Sequence, residues 1–147
     1  MGKTLFHLAF PITDAAEAKR FYVEGLGCSP GRESASAVVL ELMGHQLVGH
    51  LTERTERQKG IYPRHFGLIF TLESDWQALA DRAKARGLAF YQQPRRRFPG
   101  TPIEHATFFL EDPFHNLLEF KWYKQESAIF GERGFTQVGD TKGEPTD

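Results

Sequence analysis

The pattern of apolar and polar positions divides the chain into two similar runs of elements. Residues 4–10 are rich in apolar and aromatic side chains and read as a strand that Pro11 ends. Thr13 or Asp14 is placed to cap a helix over 15–26, where Ala18, Phe21, Tyr22 and Leu26 recur at helical spacing and Gly27 provides the stop. Residues 37–43 read as a strand, Gly44-His45 as a tight turn and 46–51 as the returning strand of a hairpin, with a further strand near 30–36. A polar, aperiodic connection spans 52–60. The order then repeats. Residues 65–72 read as a strand, followed by a helix capped by Ser74 or Asp75 with Trp76, Leu79, Ala80 and Ala83 on one face. Gly87 ends it, 88–91 form a short strand, 92–104 a loop with three prolines, and 105–110 and 116–123 two strands around the Asp112-Pro113 turn. The mostly polar stretch from Lys124 onward reads as a surface arm or a partly disordered tail.

Each half therefore has the order β-α-β-β-β. The expected fold class is α+β, with paired βαβββ modules over about 4–53 and 63–123 forming a half-open barrel-like mixed sheet. They make one domain, 1–124, followed by a C-terminal arm, 125–147. An internal repeat constrains a fold more than any single motif. It also brings chemistry together. His7 and His65 hold the same place near the start of their first strands. Matching the closing strands letter by letter sets Gln46 against Asn116, Leu47 against Leu117, Val48 against Leu118 and Gly49 against Glu119. The longer loop of the second half absorbs the difference in length. Two modules related by a pseudo-twofold place their first and last strands around a shared concavity. On the last strand, Leu117, Glu119 and Lys121 share one face. A carboxylate in so apolar a stretch is costly to bury alone, and a cation would satisfy it. Two histidines and one carboxylate are a common metal-binding set, so His7, His65 and Glu119 are the candidate ligands. The plain alternative is two core histidines and a surface carboxylate.

Composition narrows the function classes. The 147 residues suffice for one domain with a sizeable core, and a net charge of -1 gives no reason to expect nucleic acid as a partner. The apolar runs are too short to span a bilayer, so no membrane partner is expected. The lone Cys28 and the absence of a leader-like N-terminus suit a cytoplasmic protein.

The sequence resembles the vicinal oxygen chelate superfamily, which includes glyoxalase I, extradiol dioxygenases, fosfomycin-resistance enzymes and bleomycin-binding proteins. The resemblance covers about residues 4–123. It rests on Phe6-His7-Leu8-Ala9-Phe10, on Ala18-Lys19-Arg20-Phe21-Tyr22 followed by Gly25-Leu26-Gly27-Cys28, on His65-Phe66-Gly67, and on Asp112-Pro113 followed by Asn116-Leu117-Leu118-Glu119-Phe120. It implies a divalent transition metal (Fe, Mn, Zn, Ni or Co) at His7, His65 and Glu119, a small-molecule substrate, and a homodimer whose modules pair within one chain or between two. The second acidic ligand of glyoxalase I-like sites is replaced, in the letter alignment, by Gly49. Where extradiol enzymes carry a Tyr before the turn and a Gly after it, this chain has Phe109 and His115. The expected activity is that of a metal-dependent glyoxalase/dioxygenase-like enzyme. The alternative is a metal-independent small-molecule binding protein of the bleomycin-resistance type.

His50 is the candidate catalytic base. The letter alignment points it away from the cavity, whereas a one-residue shift of the hairpin would turn it inward. His45 and His115 are expected at the surface, as is His105, although its place at a strand edge beside the variable loop would also let it reach the cavity mouth. Arg97 is the candidate clamp for a substrate carboxylate or phosphate, with Phe98 beside it on the cavity wall. Tyr62 and Phe109 are either wall or ordinary core.

Overall fold

A computed structural model of the chain describes residues 2–139. Strand β1 (His7–Ile12) leads into helix α1 (Ala15–Lys19), which continues as a π-helical turn over Arg20–Gly25. Asp14 caps α1 by accepting a hydrogen bond from the Glu17 backbone N–H at 2.8 Å. Strands β2 (Ser29–Glu33), β3 (Ala37–Leu42) and β4 (His45–Leu51) complete the first module. The second module holds β5 (Phe66–Phe70), α2 (Glu73–Ala85), β6 (Phe90–Arg97), β7 (His105–Glu111) and β8 (Leu117–Tyr123). A short helix α3 (Ser127–Phe130) follows in the arm. The last residues of the arm, 140–147, lie outside the described residues.

The strands form two open four-stranded mixed sheets, ordered β1-β4-β3-β2 and β5-β8-β7-β6. Each first strand runs parallel to the last strand of its module and the remaining pairs are antiparallel. This is the expected βαβββ pair. Both helices present the faces read from the sequence. Ala18, Phe21 and Tyr22 from the first, and Trp76, Leu79, Ala80 and Ala83 from the second, are buried in one core with Phe108, Leu118 and Phe120. Trp76 Nε1 donates to the Phe120 carbonyl at 2.8 Å and pins α2 to β8. Hydrogen bonds tie the modules together, among them the following. The Tyr22 hydroxyl donates to Asp112 Oδ2 at 2.6 Å, Asn116 Nδ2 to the Pro11 carbonyl at 2.9 Å, and Arg82 Nε to the Gly25 carbonyl at 2.8 Å.

Several boundaries depart from expectation. Pro11 lies inside β1 rather than ending it; β1 is an edge strand, where the missing N–H costs no ladder bond. Residues 92–97 belong to β6 instead of a loop, because β6 is also an edge strand and its register is broken between Gln92 and Arg95, around Pro94. Leu72, not Ser74 or Asp75, stands at the N-cap of α2, and its side chain makes no capping bond.

The pairing also corrects the letter alignment of the two halves. His7 pairs with Gln46, Ala9 with Val48 and Pro11 with His50. In the second sheet Gly67 pairs with Glu119 and Ile69 with Lys121. Val48, not Gly49, is therefore the counterpart of Glu119, and His50 is the counterpart of Lys121. The β3–β4 turn is one residue shorter than the β7–β8 turn: Glu41 faces Gln46, whereas Glu111 faces Leu117.

Candidate functional site

One face of the β5-β8-β7-β6 sheet packs on the core, and the opposite face lines a cavity of about 360 Å³. Strand alternation decides which side chains enter it. From β8 come Glu119, Lys121 and Tyr123; from β7, His105, Thr107 and Phe109; from β6, Arg95 and Arg97. His65, just before β5, and Phe98, just after β6, join them. The arm closes another side with residues between Ala128 and Gly139, among them Phe130, Glu132 and Phe135.

The polar centre is a chain of three groups. His65 Nε2 lies 3.0 Å from Glu119 Oε1, and the Thr107 hydroxyl donates to Glu119 Oε2 at 2.6 Å. His65 Nδ1 lies 2.7 Å from the Ile61 carbonyl, which can only accept, so Nδ1 carries a proton. Nε2 and Oε1 thus face one another, and a shared proton or cation satisfies both. The hydrogen bond to Glu119 raises the His65 pKa despite burial. For Glu119, burial pushes upward, but the His65 bond, the Lys121 charge and the Thr107 bond outweigh it and hold the carboxyl below its usual range. Burial also works against the Lys121 ammonium, yet Glu119 and Tyr123 keep it cationic by raising its pKa.

Gly67 sits across from Glu119 with no room for a side chain. A Cβ there would overlap the Glu119 carbonyl oxygen and stand 2.6 Å from its carbon.

His65, Glu119, Arg97 and Phe98 line the cavity, as the sequence suggests. His7 does not reach it. Its ring is exposed on the first sheet, with Nδ1 2.7 Å from Gln46 Oε1. His50 is exposed too, on the same sheet face as His7. Among the described residues no group of three or more His, Cys, Asp or Glu is placed to hold a metal. The pair that is present has metal-ligand character nonetheless. Its Nδ1-to-carbonyl bond is the support that ligating histidines use. In an octahedral set, ligand bonds of about 2.0–2.2 Å at right angles put two ligand atoms about 2.9 Å apart, close to the separation of Nε2 and Oε1. His105, expected at the surface, is buried because β7 is an inner strand, and burial lowers its pKa. Sequence reasoning missed Thr107 and gave Lys121 no role, although alternation places Lys121 beside Glu119.

Comparison with known proteins agrees with this architecture. A family profile for the Glyoxalase/Bleomycin resistance protein/Dioxygenase superfamily matches residues 4–120, and the chain belongs to that superfamily. A glyoxalase/bleomycin resistance protein/dioxygenase from Alicyclobacillus acidocaldarius is similar at 45% identity and a TM-score of 0.82, over 86% of this chain and 96% of that one. The genomically encoded fosfomycin resistance protein FosX from Listeria monocytogenes shares the fold at 17% identity and a TM-score of 0.66, over 87% and 99%. A superfamily protein from Nocardioides shares it at 17% identity and 0.63, over 86% of each. No curated protein matches the sequence. Members of the superfamily commonly use a divalent metal, bind small molecules and often form dimers. No helix among the described residues is long and apolar enough to cross a membrane.

Proposed function

We propose that this protein is a divalent-metal-dependent enzyme of the glyoxalase/dioxygenase type, acting in the cytoplasm on a small substrate with neighbouring oxygens. The observation that carries the reading is the facing of His65 Nε2 and Glu119 Oε1 at 3.0 Å, with Nδ1 committed to Ile61. These two atoms would hold the ion. The third candidate, His7, is exposed on the first sheet, on the face it shares with His50. His7 would therefore enter from a second copy, in a homodimer whose modules pair between chains. When bound, the ion supplies Lewis acidity to the substrate oxygens. Thr107 keeps Glu119 from rotating, and Arg97 with Phe98 orients the substrate. His50 shares the face of His7 and would come in with it as the proton acceptor.

A second reading has its own observation. The His65–Glu119 bond is complete without metal and raises the His65 pKa, as an imidazolium–carboxylate pair does. A metal-independent binding protein would need nothing more.

Metal content and oligomeric mass of the protein purified without oxygen or chelator separate the two. The proposal expects a dimer with about one transition-metal ion per chain, lost in Glu119→Gln and in His7→Ala. Mixing equal amounts of those two variants should restore about a quarter of the sites, because half of the dimers are mixed and each mixed dimer rebuilds one intact set of two. Full metal content in Glu119→Gln, or metal-free wild-type protein after adding ions back, would refute it.

A further inference from the structure

Lys121 is the least explained polar group in the cavity. It lies on the same face of β8 as Glu119 and lines the same space, partly buried. An ammonium has three donors. Among the described residues the hydrogen bond that Lys121 makes is to Tyr123 Oη at 3.1 Å, with Nζ 5.3 Å from the centre of that ring. Among the described residues no hydrogen bond joins Lys121 to Glu119, whose own hydrogen bonds are to His65 and Thr107. The nearby Glu119 carboxylate supports the Lys121 charge through space, but the remaining ammonium donors are open to a ligand acceptor. A hydrogen bond between charged groups is stronger than one between neutral groups.

The surroundings extend the same polarity. Arg95 and Arg97 also line the cavity from β6, each with interactions of its own. Arg97 is held in place, its guanidinium carbon 4.6 Å from the centre of the Phe98 ring. The remaining lining is apolar: Ile61, Phe98, Ile103 and Phe109. At about 360 Å³ the cavity is at the small end for ligand sites.

We infer that the cavity takes a small organic anion, its charged end on Lys121 on the Arg97 side of the site and its apolar body against Phe109 and Ile103. Carboxylate, phosphate and phosphonate share the chemistry. The inference rests on the reading of this cavity as the ligand site but does not depend on the metal. The first module lacks the feature, since His50 stands where Lys121 stands in the second.

The test uses ligands matched in shape and different in charge: benzoate, phenylphosphonate and neutral benzamide. Each is titrated into the full-length protein, both as purified and after chelation, with amide chemical shifts as the readout and metal content measured in parallel. At least one anion should bind the chelated protein about 10-fold or more tighter than benzamide, the scale of one charge-assisted hydrogen bond. Lys121→Met should abolish that preference while keeping the wild-type melting temperature, and Lys121→Arg should retain it. The tighter of the two anions then assigns the substrate's head group. Equal binding of anions and benzamide, no binding of any of the three, or a preference that survives Lys121→Met would overturn the inference. A preference seen only before chelation would assign the anion to the metal and overturn it as well. Loss of metal binding with the charge preference intact would refute the enzyme reading alone.

Discussion

Replacing Gly67 by alanine adds one methyl group, and the structure predicts that this single carbon unzips an edge of the second sheet. Strand β5 is held in the sheet only by β8, and Gly67 faces Glu119 in that ladder. The new Cβ would overlap the Glu119 carbonyl oxygen and lie 2.6 Å from its carbon. Ordinary carbon–carbon contact is about 3.5–4.0 Å, so the strands must part by about 1 Å. A ladder bond of about 2.9 Å stretched that far is no longer a hydrogen bond. Losing about two neighbouring bonds, each worth about 1 kcal/mol net, and stranding one buried polar group at about 1–3 kcal/mol gives a cost of about 3–5 kcal/mol. For a chain of this size that corresponds to a fall in melting temperature of about 6–20 °C. Thermal unfolding followed by circular dichroism measures it directly. Ala9 supplies the control. It is the counterpart of Gly67 in the first module, pairs with Val48 and already carries a Cβ, so Ala9→Gly should cost about 1 kcal/mol or less. If Gly67→Ala melted within about 2 °C of wild type, the backbone approach described here would be wrong, and with it the seating of Glu119 opposite β5.

Two further outcomes follow from the buried polar groups. Asp112 accepts hydrogen bonds from the Phe114 and Asn116 backbone N–H groups, from Asn116 Nδ2 and from the Tyr22 hydroxyl, all within 2.6–2.8 Å. Asp112→Ala should cost about 3–5 kcal/mol, read as a lower urea midpoint, and an unchanged midpoint would show that the turn does not depend on this carboxylate. The His65–Glu119 pair should make the stability of the metal-free protein depend on pH in a defined window. His65 has a raised pKa, so its contribution is complete below about pH 6.5 and fades as pH rises through the raised value. Glu119 has a lowered pKa, so its contribution is complete above about pH 4.3 and fades as pH falls through the lowered value. The gap in melting temperature between wild type and Glu119→Gln should therefore be widest between about pH 4.5 and 6.5. A gap that stayed constant up to pH 9 would contradict the coupling.

The elements that read clearly from the sequence were those with a strong period. Both helix faces, the alternation of Leu117, Glu119 and Lys121, and the repeat itself follow from apolar spacing alone. The errors share a physical origin in contacts that periodicity does not encode. The letter alignment slipped by one residue because the Asp112 turn holds one residue more than the hairpin at Met43 and Gly44, and a slip of one moves every side chain to the other face. That slip is why Gly49 stood opposite Glu119 on paper, whereas Val48 does in the fold. The arginine run read as loop because charge and Pro94 are unusual in strands, but an edge position tolerates both. With β6 in place β7 becomes an inner strand, which explains the burial of His105. The spacing of His7 and His65 correctly made them equivalent, but equivalence under a pseudo-twofold does not place two residues in the same cavity.

The arm has an evolutionary consequence. The profile that defines the superfamily ends at residue 120, whereas residues between Ala128 and Gly139 form part of the cavity rim. Strands β5, β7 and β8 carry the polar centre under the constraint of sheet register, which a substitution such as Gly67→Ala would break. The arm answers to no ladder and can change length or composition without disturbing that centre. On the proposed function, ligand selectivity would thus rest partly on a segment that sheet register does not constrain. Proteins with the same His65–Glu119 pair and different tails should then accept different ligands.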